Sequence, residues 1–304
     1  MLSRALMLKV AEWPAFKNWI KHSRMTRGLV ERFIAGEDLD PAIRVAQELN
    51  RQGFSVALDY LGEDTANPED AQNASRQYIM LLEKISDVGV NACISIKLTQ
   101  LGLDLGYDLC KANLECVLRT AHDLGNFVWI DMESSNHTEA TINLFCEMFP
   151  RYSNTGTVLQ SYLYRTPRDM ERLIELKARI RLVKGAYAEP PSVAYRSKRE
   201  VDRQFRILME TLLQKGKEPA VATHDRRLVD YAKRYAQQIN LPKEQFEFQL
   251  LYGISRDLQR QLVEEGYRTL IYVPYGEQWY PYFSRRLAER PANLYFVLKS
   301  LFRG

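Results

Sequence analysis

Two spacings of apolar residues alternate along the chain from residue 54 onward. Short runs rich in Val, Ile, Tyr and Phe, each bounded by turn residues, are typical of β-strands. Several of these runs are almost continuously apolar, as parallel strands covered on both faces are. The pattern predicts eight strands, at residues 54–60, 91–98, 127–132, 157–163, 178–187, 219–225, 246–253 and 269–276.

The segments between these runs carry apolar residues three and four positions apart, which indicates amphipathic helices. Asn67 and Thr166 each precede a proline and predict helix starts, and Gly89 and Gly125 fall where helices end. Strands that alternate with helices eight times predict an α/β fold, a (β/α)₈ barrel of the TIM type. An open doubly wound sheet is the alternative, but the G-x-G-x-x-G motif that usually follows its first strand is absent.

Residues 1–50 precede the first strand and predict additional helices. No linker rich in Ser or Gly follows them, so we expect one domain: a helical extension at 1–50 and a catalytic barrel at 51–304 with its last helix over the active site. Residues 1–32 carry seven Lys or Arg against Glu12 and Glu31. A basic amphipathic segment can lie on an anionic membrane; an arm packed on the barrel is the alternative that we favour.

Composition then restricts the class of protein. The 304 residues are 46% apolar and 26% charged, in the globular range, and a net charge of +4 is too even for a nucleic-acid binder. No apolar run reaches the roughly 18–20 residues of a membrane-spanning helix. The four cysteines lack C-x-x-C spacing and the four histidines are scattered, so we expect no metal site. We expect a cytoplasmic protein, either free or peripheral on the inner face of the membrane.

Polar residues stand near the ends of many predicted strands, where barrel enzymes place their active sites. A charge inside an apolar strand must be paired or face a functional cavity, and several such charges in one barrel favour a shared pocket. The residues are Lys97, Asp131, Gln160, Arg181, Lys184, Thr223, His224, Gln249 and Tyr272. Because basic residues outnumber the single carboxylate Asp131, we expect an electropositive barrel mouth that binds an anionic group.

Arg285 and Arg286, in the last predicted helix, add to this positive charge. A guanidinium fork suits a substrate carboxylate. In the alternative interpretation at least one arginine is solvated and pairs with Glu289.

Several strings carry a resemblance when they are taken in order: ISIKLTQLG, VWIDME, RIRLVKGAY, VATHD, and Y-x-P-Y-G followed by Y-F-x-R-R-L-x-E-R-P. Each is weakly specific alone, but together they run from the barrel strands to the C-terminus. The chain resembles the flavin-dependent proline dehydrogenases (proline oxidases), and it is more similar to their short monofunctional bacterial form than to the proline utilisation A fusions.

The resemblance implies a (β/α)₈ barrel with FAD along its mouth. It implies oxidation of L-proline to Δ1-pyrroline-5-carboxylate by hydride transfer to flavin N5, with electrons passed to membrane quinone. This is the first step of proline catabolism to glutamate, and pyrroline-5-carboxylate dehydrogenase would be a downstream partner. Since that flavin site is not a Rossmann site, the missing glycine motif is explained.

The resemblance also assigns roles to residues. Asp131 and Arg181 would form the catalytic centre, with Arg181 beside flavin N5. The substrate carboxylate would be bound by Lys97, Arg285 and Arg286, with Glu289 supporting the arginines and Tyr272 packed against the proline ring. Glu63 would pair with Arg285 as a gate. FAD would contact Met132, Gln160, Arg181, Lys184, Gly185, Ala186, Thr223 and His224.

Three alternatives remain open from the residues alone. A Schiff-base lyase or aldolase would use Lys97 or Lys184, because such lysines sit at barrel strand ends. A relative that prefers hydroxyproline would differ around Tyr272. A barrel without catalysis, acting as a scaffold, is the third.

Overall fold

The computed structural model describes residues 24–62 and 65–289, and at 24–27 and 287–289 it describes the backbone alone. Eight parallel strands pair in sequence order, and the last pairs with the first, so the sheet closes into a barrel. This confirms the predicted (β/α)₈ barrel over the open sheet. The strands are β1 (Ser55–Tyr60), β2 (Ala92–Ile96), β3 (Val128–Ile130), β4 (Thr155–Gln160), β5 (Arg179–Val183), β6 (Lys217–Ala222), β7 (Glu247–Leu251) and β8 (Arg268–Tyr275).

Helices alternate with the strands and cover the barrel. In the described part of the chain they are α1 (Arg24–Glu31), α2 (Leu39–Arg51), α3 (Pro68–Val88), α4 (Tyr107–Asp123), α5 (Ser135–Met148), α6 (Thr166–Glu175), α7 (Lys198–Lys215), α8 (Arg226–Gln238), α9 (Arg256–Glu264) and α10 (Tyr280–Glu289), with a 3₁₀ turn at Lys243–Gln245. None of them is long and apolar enough to cross a bilayer.

Three of the four predicted helix termini agree with the structure. Asn67 accepts a hydrogen bond from the N–H of Asp70 and caps α3. Gly89 ends α3 with a left-handed φ of 67°, and Gly125, with φ of 63°, follows the end of α4. Thr166 is instead the first residue of α6, and its hydroxyl donates to the carbonyl of Gln160.

The strand boundaries are where the sequence predictions fail most. The runs at 127–132 and 157–163 overrun β3 and β4, since Met132 and Leu163 are buried although each lies past its strand's end. The run at 178–187 overruns β5, which ends before Gly185 and its positive φ of 113°. An apolar run in the sequence extends past the end of the strand wherever the loop that follows the strand is also buried.

Helix α2 joins the extension to the barrel. Its Ala42, Ile43, Ala46 and Leu49 are buried in the same apolar cluster as the strands and the surrounding helices. The helix ends at Arg51, beside the predicted division at residue 50, which stays a prediction. Residues 1–23, with most of the basic arm, lie outside the described residues.

Candidate functional site

A cavity of about 450 Å³ opens at the carboxyl ends of the strands. Every predicted site residue whose side chain is described lines it: Lys97, Asp131, Met132, Gln160, Arg181, Lys184, Gly185, Ala186, Thr223, His224, Tyr272, Arg285 and Arg286. Glu63, the predicted gate, and the side chain of Glu289 lie outside the described residues. Sequence analysis therefore found most of the wall of a real cavity, which is formed by all eight strands or the loops after them and by α10.

Strand alternation explains why these side chains meet. In a β-strand every second residue faces the same side, so Ser95 and Lys97 both face the barrel interior, as Trp129 and Asp131 do. Arg181 on β5 and Tyr272 on β8 join them from across the barrel. The layer below is mostly apolar, with Ala57, Ala220 and Leu270 packed around Trp129, and the ion pair of Arg179 and Glu247 lies beside them. The top layer is polar and lies above a filled core.

Asp131 is the centre of this layer. Its Oδ1 accepts hydrogen bonds from Ser95 Oγ at 2.8 Å and from Arg181 Nη1 at 2.8 Å. Its Oδ2 accepts from Tyr272 Oη at 2.7 Å, and Lys97 Nζ lies 3.6 Å away. Burial and the nearby Asp131 carboxylate raise the pKa of Tyr272 well above its usual value. Tyr272 therefore remains the donor in this bond.

Sequence analysis missed Asp59, which lies on β1 next to Lys97. Its Oδ1 accepts a hydrogen bond from Lys97 Nζ at 2.7 Å, and the residue is fully buried. Burial alone would lower the pKa of Lys97, but the carboxylates of Asp59 and Asp131 outweigh it and raise that pKa. Lys97 is therefore a protonated ammonium with a built-in counter-ion.

Arg181 is held flat in the barrel interior. Its Cζ lies 4.5 Å from the centre of the Trp129 ring, and its Nη1 also donates to Ser95 at 3.2 Å. Its Nε donates to Gln249 Oε1. Within the described residues no acceptor reaches its buried Nη2. A bound group with an acceptor atom would satisfy this nitrogen.

Lys184 directly follows β5, the strand that carries Arg181, and lies between two carboxylates. Its Nζ is 2.6 Å from Asp202 on α7 and 3.0 Å from Asp225 after β6. Burial opposes the ionised carboxylates, but hydrogen bonds from lysine lower the pKa of both Asp202 and Asp225. The expectation of basic residues against one carboxylate is therefore wrong. Asp59 and Asp225 lie in two of the predicted strand runs, and Asp202 lies on α7.

His224 and Gln160 are fixed by the backbone around them. The N–H of Leu251 donates to His224 Nε2 at 3.2 Å, which makes Nε2 an acceptor and places the imidazole proton on Nδ1. Gln160 Nε2 donates to the carbonyl of Glu133 at 2.8 Å. Buried Glu133 accepts from both the N–H and the hydroxyl of Thr99, and burial raises its pKa. These bonds tie the loops after β2 and β3 together.

Gly185 lies in the loop after β5, which lines one side of the cavity. A Cβ atom there would come within 2.4 Å of the Tyr162 ring, and the backbone has a left-handed φ of 113°. Both features require glycine. Tyr187, two residues on, also lines the cavity; sequence analysis had placed it at the end of a strand and gave it no role.

Comparison with known proteins identifies the family. The model of the proline dehydrogenase family matches residues 42–299. The chain is 41% identical to proline dehydrogenase of Deinococcus radiodurans, over 100% of this chain and 99% of that protein. It is 40% identical to proline dehydrogenase 1 of Bacillus subtilis strain 168, over 91% of this chain and 92% of that protein.

A larger solved protein carries the same fold. The crystal structure of proline utilization A from Bdellovibrio bacteriovorus, inactivated by N-propargylglycine, aligns with a TM-score of 0.82 at 28% identity. The alignment covers 87% of this chain and 33% of that one, so this chain spans about a third of its length. Together with the family match over most of the barrel, these relatives confirm the resemblance seen in the sequence. The chain belongs to the proline dehydrogenase family of oxidoreductases.

Proposed function

We propose that this chain oxidises L-proline to Δ1-pyrroline-5-carboxylate, with FAD as its cofactor and a quinone as electron acceptor. One observation carries the proposal: Lys97, Arg181, Arg285 and Arg286 line one cavity in the mouth of a barrel of this family. Those cations come from β5, the loop after β2 and α10. A carboxylated substrate that enters the cavity meets positive charge from more than one side.

Lys97, Arg285 and Arg286 are the proposed partners of the substrate carboxylate. Charge-assisted hydrogen bonds to a carboxylate orient as well as bind it, and Lys97 is already held by Asp59 at 2.7 Å. Asp131 and Tyr272, which share a hydrogen bond of 2.7 Å, would face the ring. The chain thereby fixes the substrate in one pose before reaction.

The residues on the other wall fit a flavin dinucleotide. Arg181 Nη2 is buried with no acceptor among the described residues, and the Gly185 backbone approaches the cavity without a side chain. Met132, Gln160, Lys184, Ala186, Thr223 and His224 line the same wall and would hold the cofactor with them. FAD, when bound, supplies the acceptor for the hydride. Arg181 and Lys184 would contribute positive charge beside it.

The Schiff-base alternative is disfavoured at Lys97. Such a lysine must be a neutral amine, and its pKa is lowered by an apolar pocket or by a neighbouring cation. Lys97 has two carboxylates beside it, and its pKa is raised. A charged ammonium suits electrostatic binding of a carboxylate.

Two further parts of the proposal concern residues that lie wholly or mostly outside the described ones. Glu63 would pair with Arg285 as a gate, and Glu63→Ala should then alter proline kinetics without loss of cofactor. If the basic segment at residues 1–32 binds lipid and is not packed on the barrel, it would bring the enzyme to membrane quinone. Removal of about the first 30 residues should then weaken the salt-sensitive binding to anionic vesicles.

A spectrum tests the central proposal. Purified protein should show flavin absorbance, and L-proline added without oxygen should bleach it, with Δ1-pyrroline-5-carboxylate formed in equal amount. D-proline serves as the control for stereospecific binding. A folded, colourless preparation that forms a borohydride-trapped adduct on Lys97 or Lys184 would instead support the lyase.

A further inference from the structure

Gln249 lines the base of the cavity and lies between two charged groups, Arg181 and Glu247. It is on β7, it is 3% exposed, and its amide Oε1 accepts a hydrogen bond from Arg181 Nε. Its amide Nε2 donates to Glu247 Oε1 at 2.6 Å. Glu247 and Gln249 are two positions apart on one strand, so both face the barrel interior.

These neighbours leave the amide one orientation. A carboxylate only accepts hydrogen bonds and a guanidinium only donates them, whereas an amide does one at each end. Gln249 must therefore turn its nitrogen to Glu247 and its oxygen to Arg181. Glu247 is 3% exposed and is itself fixed by Arg179, whose Nη2 lies 3.2 Å from its Oε1.

The bond to Gln249 determines how Arg181 is oriented. Nη1 is anchored by Asp131 and Ser95 on one side, and Nε is anchored by Gln249 on the other. With both anchors the guanidinium plane is fixed and Nη2 is the nitrogen left for a ligand. Without the bond from Nε to Gln249, the guanidinium can rotate about its Nη1 contacts. Nη2 can then turn toward the position that the Gln249 amide occupies in the wild type.

We propose that Glu247 and Gln249 form a positioning pair that holds Arg181 in the orientation needed for reaction. Gln249 contacts Arg181, and Glu247 acts through Gln249 from the lower layer of the barrel. The inference rests on the proposed function, because it assigns Arg181 a role beside the bound substrate and cofactor. It adds two residues to that site for which the family resemblance gave no role.

The primary test replaces Gln249 by methionine, which keeps the length of the side chain and removes the acceptor. Loss of a hydrogen bond to a charged group should lower kcat for proline by roughly 10- to 100-fold. KM should change little, since Lys97, Arg285 and Arg286 remain. Gln259→Met is the matched control: Gln259 is 4% exposed, does not itself line the cavity, and donates to the carbonyls of Leu251 and Ile254. It should lower stability and leave kcat unchanged.

A second experiment monitors the Arg181 side chain without measuring catalysis. In protein labelled with ¹⁵N-arginine, the Nε–H resonance of Arg181, assigned by its loss in Arg181→Lys, should exchange slowly with solvent. Gln249→Met should make it exchange faster, and Gln259→Met should not. This experiment separates the two proposals: if the wild type neither binds flavin nor oxidises proline, the proposed function fails, whereas the resonance still reports on the positioning pair.

A charge swap supplies the rescue. Gln249→Glu places two carboxylates against each other and should lower kcat, whereas Glu247→Gln combined with Gln249→Glu restores a donor at 247 and an acceptor at 249. The double variant should therefore exceed Gln249→Glu in kcat and regain the slow Nε–H exchange. Four outcomes would each overturn the proposal. The first two concern kcat: a wild-type kcat in Gln249→Met, or equal losses of kcat in Gln249→Met and Gln259→Met. The others are an unchanged Nε–H exchange rate of Arg181 in Gln249→Met, and no recovery of kcat in the double variant.

Discussion

Lys97 Nζ lies 2.7 Å from Asp59 Oδ1, and the two side chains are 9% and 1% exposed. The cation proposed to bind the substrate carboxylate thus has a buried counter-ion before any ligand arrives. A buried pair is costly to break from one side, because the remaining charge stays in the barrel interior without compensation. A variant of Lys97 alone therefore changes two properties, ligand binding and the balance of buried charge.

We expect Lys97→Met to lower the free energy of unfolding by about 3–5 kcal/mol, since it leaves Asp59 without its cation. Lys97→Met combined with Asp59→Asn should recover most of that loss, because no unpaired charge remains. Urea unfolding of both variants and of Asp59→Asn completes the double-mutant cycle. Equal stability of the single Lys97 variant and the double variant would contradict the pairing.

The double variant is then the one to use for kinetics. It should bind cofactor normally and show a raised KM for proline, because the loss of a charge-assisted contact in a desolvated site costs roughly 2–5 kcal/mol. Normal proline affinity with lost flavin would mean that Lys97 serves the cofactor wall instead.

Gly185→Ala should disturb the cavity more than its backbone conformation alone explains. The added Cβ would meet the Tyr162 ring at 2.4 Å, in a residue with φ of 113°. Gly89→Ala is the matched control, since Gly89 also has a positive φ, of 67°, but has open space around it. The control should lose about 1–2 kcal/mol of stability. Gly185→Ala should lose more stability than this, and it should also lose cofactor affinity, measured by flavin titration. Equal stability losses in the two variants, with normal cofactor affinity, would show that the Tyr162 ring moves to make room for the added Cβ.

The pH dependence should follow the substrate amine, because the nitrogen must be unprotonated for hydride to leave the adjacent carbon. The pKa values of Tyr272 and Lys97 are both raised, so neither group loses its proton below about pH 10, where such groups ordinarily titrate. We therefore expect kcat/KM for proline to rise from about pH 6 to about pH 10, with the same shape in Tyr272→Phe. A fall above about pH 9 in the wild type that is absent in Tyr272→Phe would show that Tyr272 titrates there.

The sequence predicted the barrel and most of its cavity wall because strand ends in a parallel barrel share one face. Asp59 shows where this reasoning stopped short. It is the fourth residue of the apolar run VALDY, and the rule that selected Lys97, a charge inside an apolar strand, applies to it equally. Counter-ions such as Asp202 are different. It lies on α7, 18 positions after Lys184, and no spacing rule joins a loop lysine to that helix face.

Gln249 is an intermediate case. It was selected as a polar residue in a strand, and its spacing from Glu247 places both side chains on one face of that strand. Nothing in the sequence showed that Arg181 would be its other neighbour. Strand order and stagger determine that contact, which spans 68 positions of sequence. The type of residue was predictable, whereas its role required the closed barrel.

The last prediction concerns which cyclic imino acid the enzyme accepts, and it depends on Tyr272. This side chain has two features that variants can separate: its hydroxyl, which donates to Asp131 at 2.7 Å, and its ring, which forms part of the cavity wall. In the proposed function the ring packs on the substrate carbon that carries the hydroxyl in hydroxyproline. The wild type should then prefer proline over trans-4-hydroxy-L-proline by roughly a hundredfold, since an apolar surface offers an added hydroxyl no partner.

Tyr272→Phe keeps the ring and removes the hydroxyl, with its bonds to Asp131 at 2.7 Å and from Lys97 at 3.4 Å. It should therefore lower kcat/KM for both substrates and leave their ratio unchanged. Tyr272→Ser removes the ring, and it should shrink the ratio mainly by losing activity on proline. The measurement is kcat/KM for both substrates in the wild type and in each variant. A ratio that changes in Tyr272→Phe would assign specificity to the hydroxyl and its bond to Asp131, whereas a ratio unchanged in Tyr272→Ser would make Tyr272 a structural part of the wall.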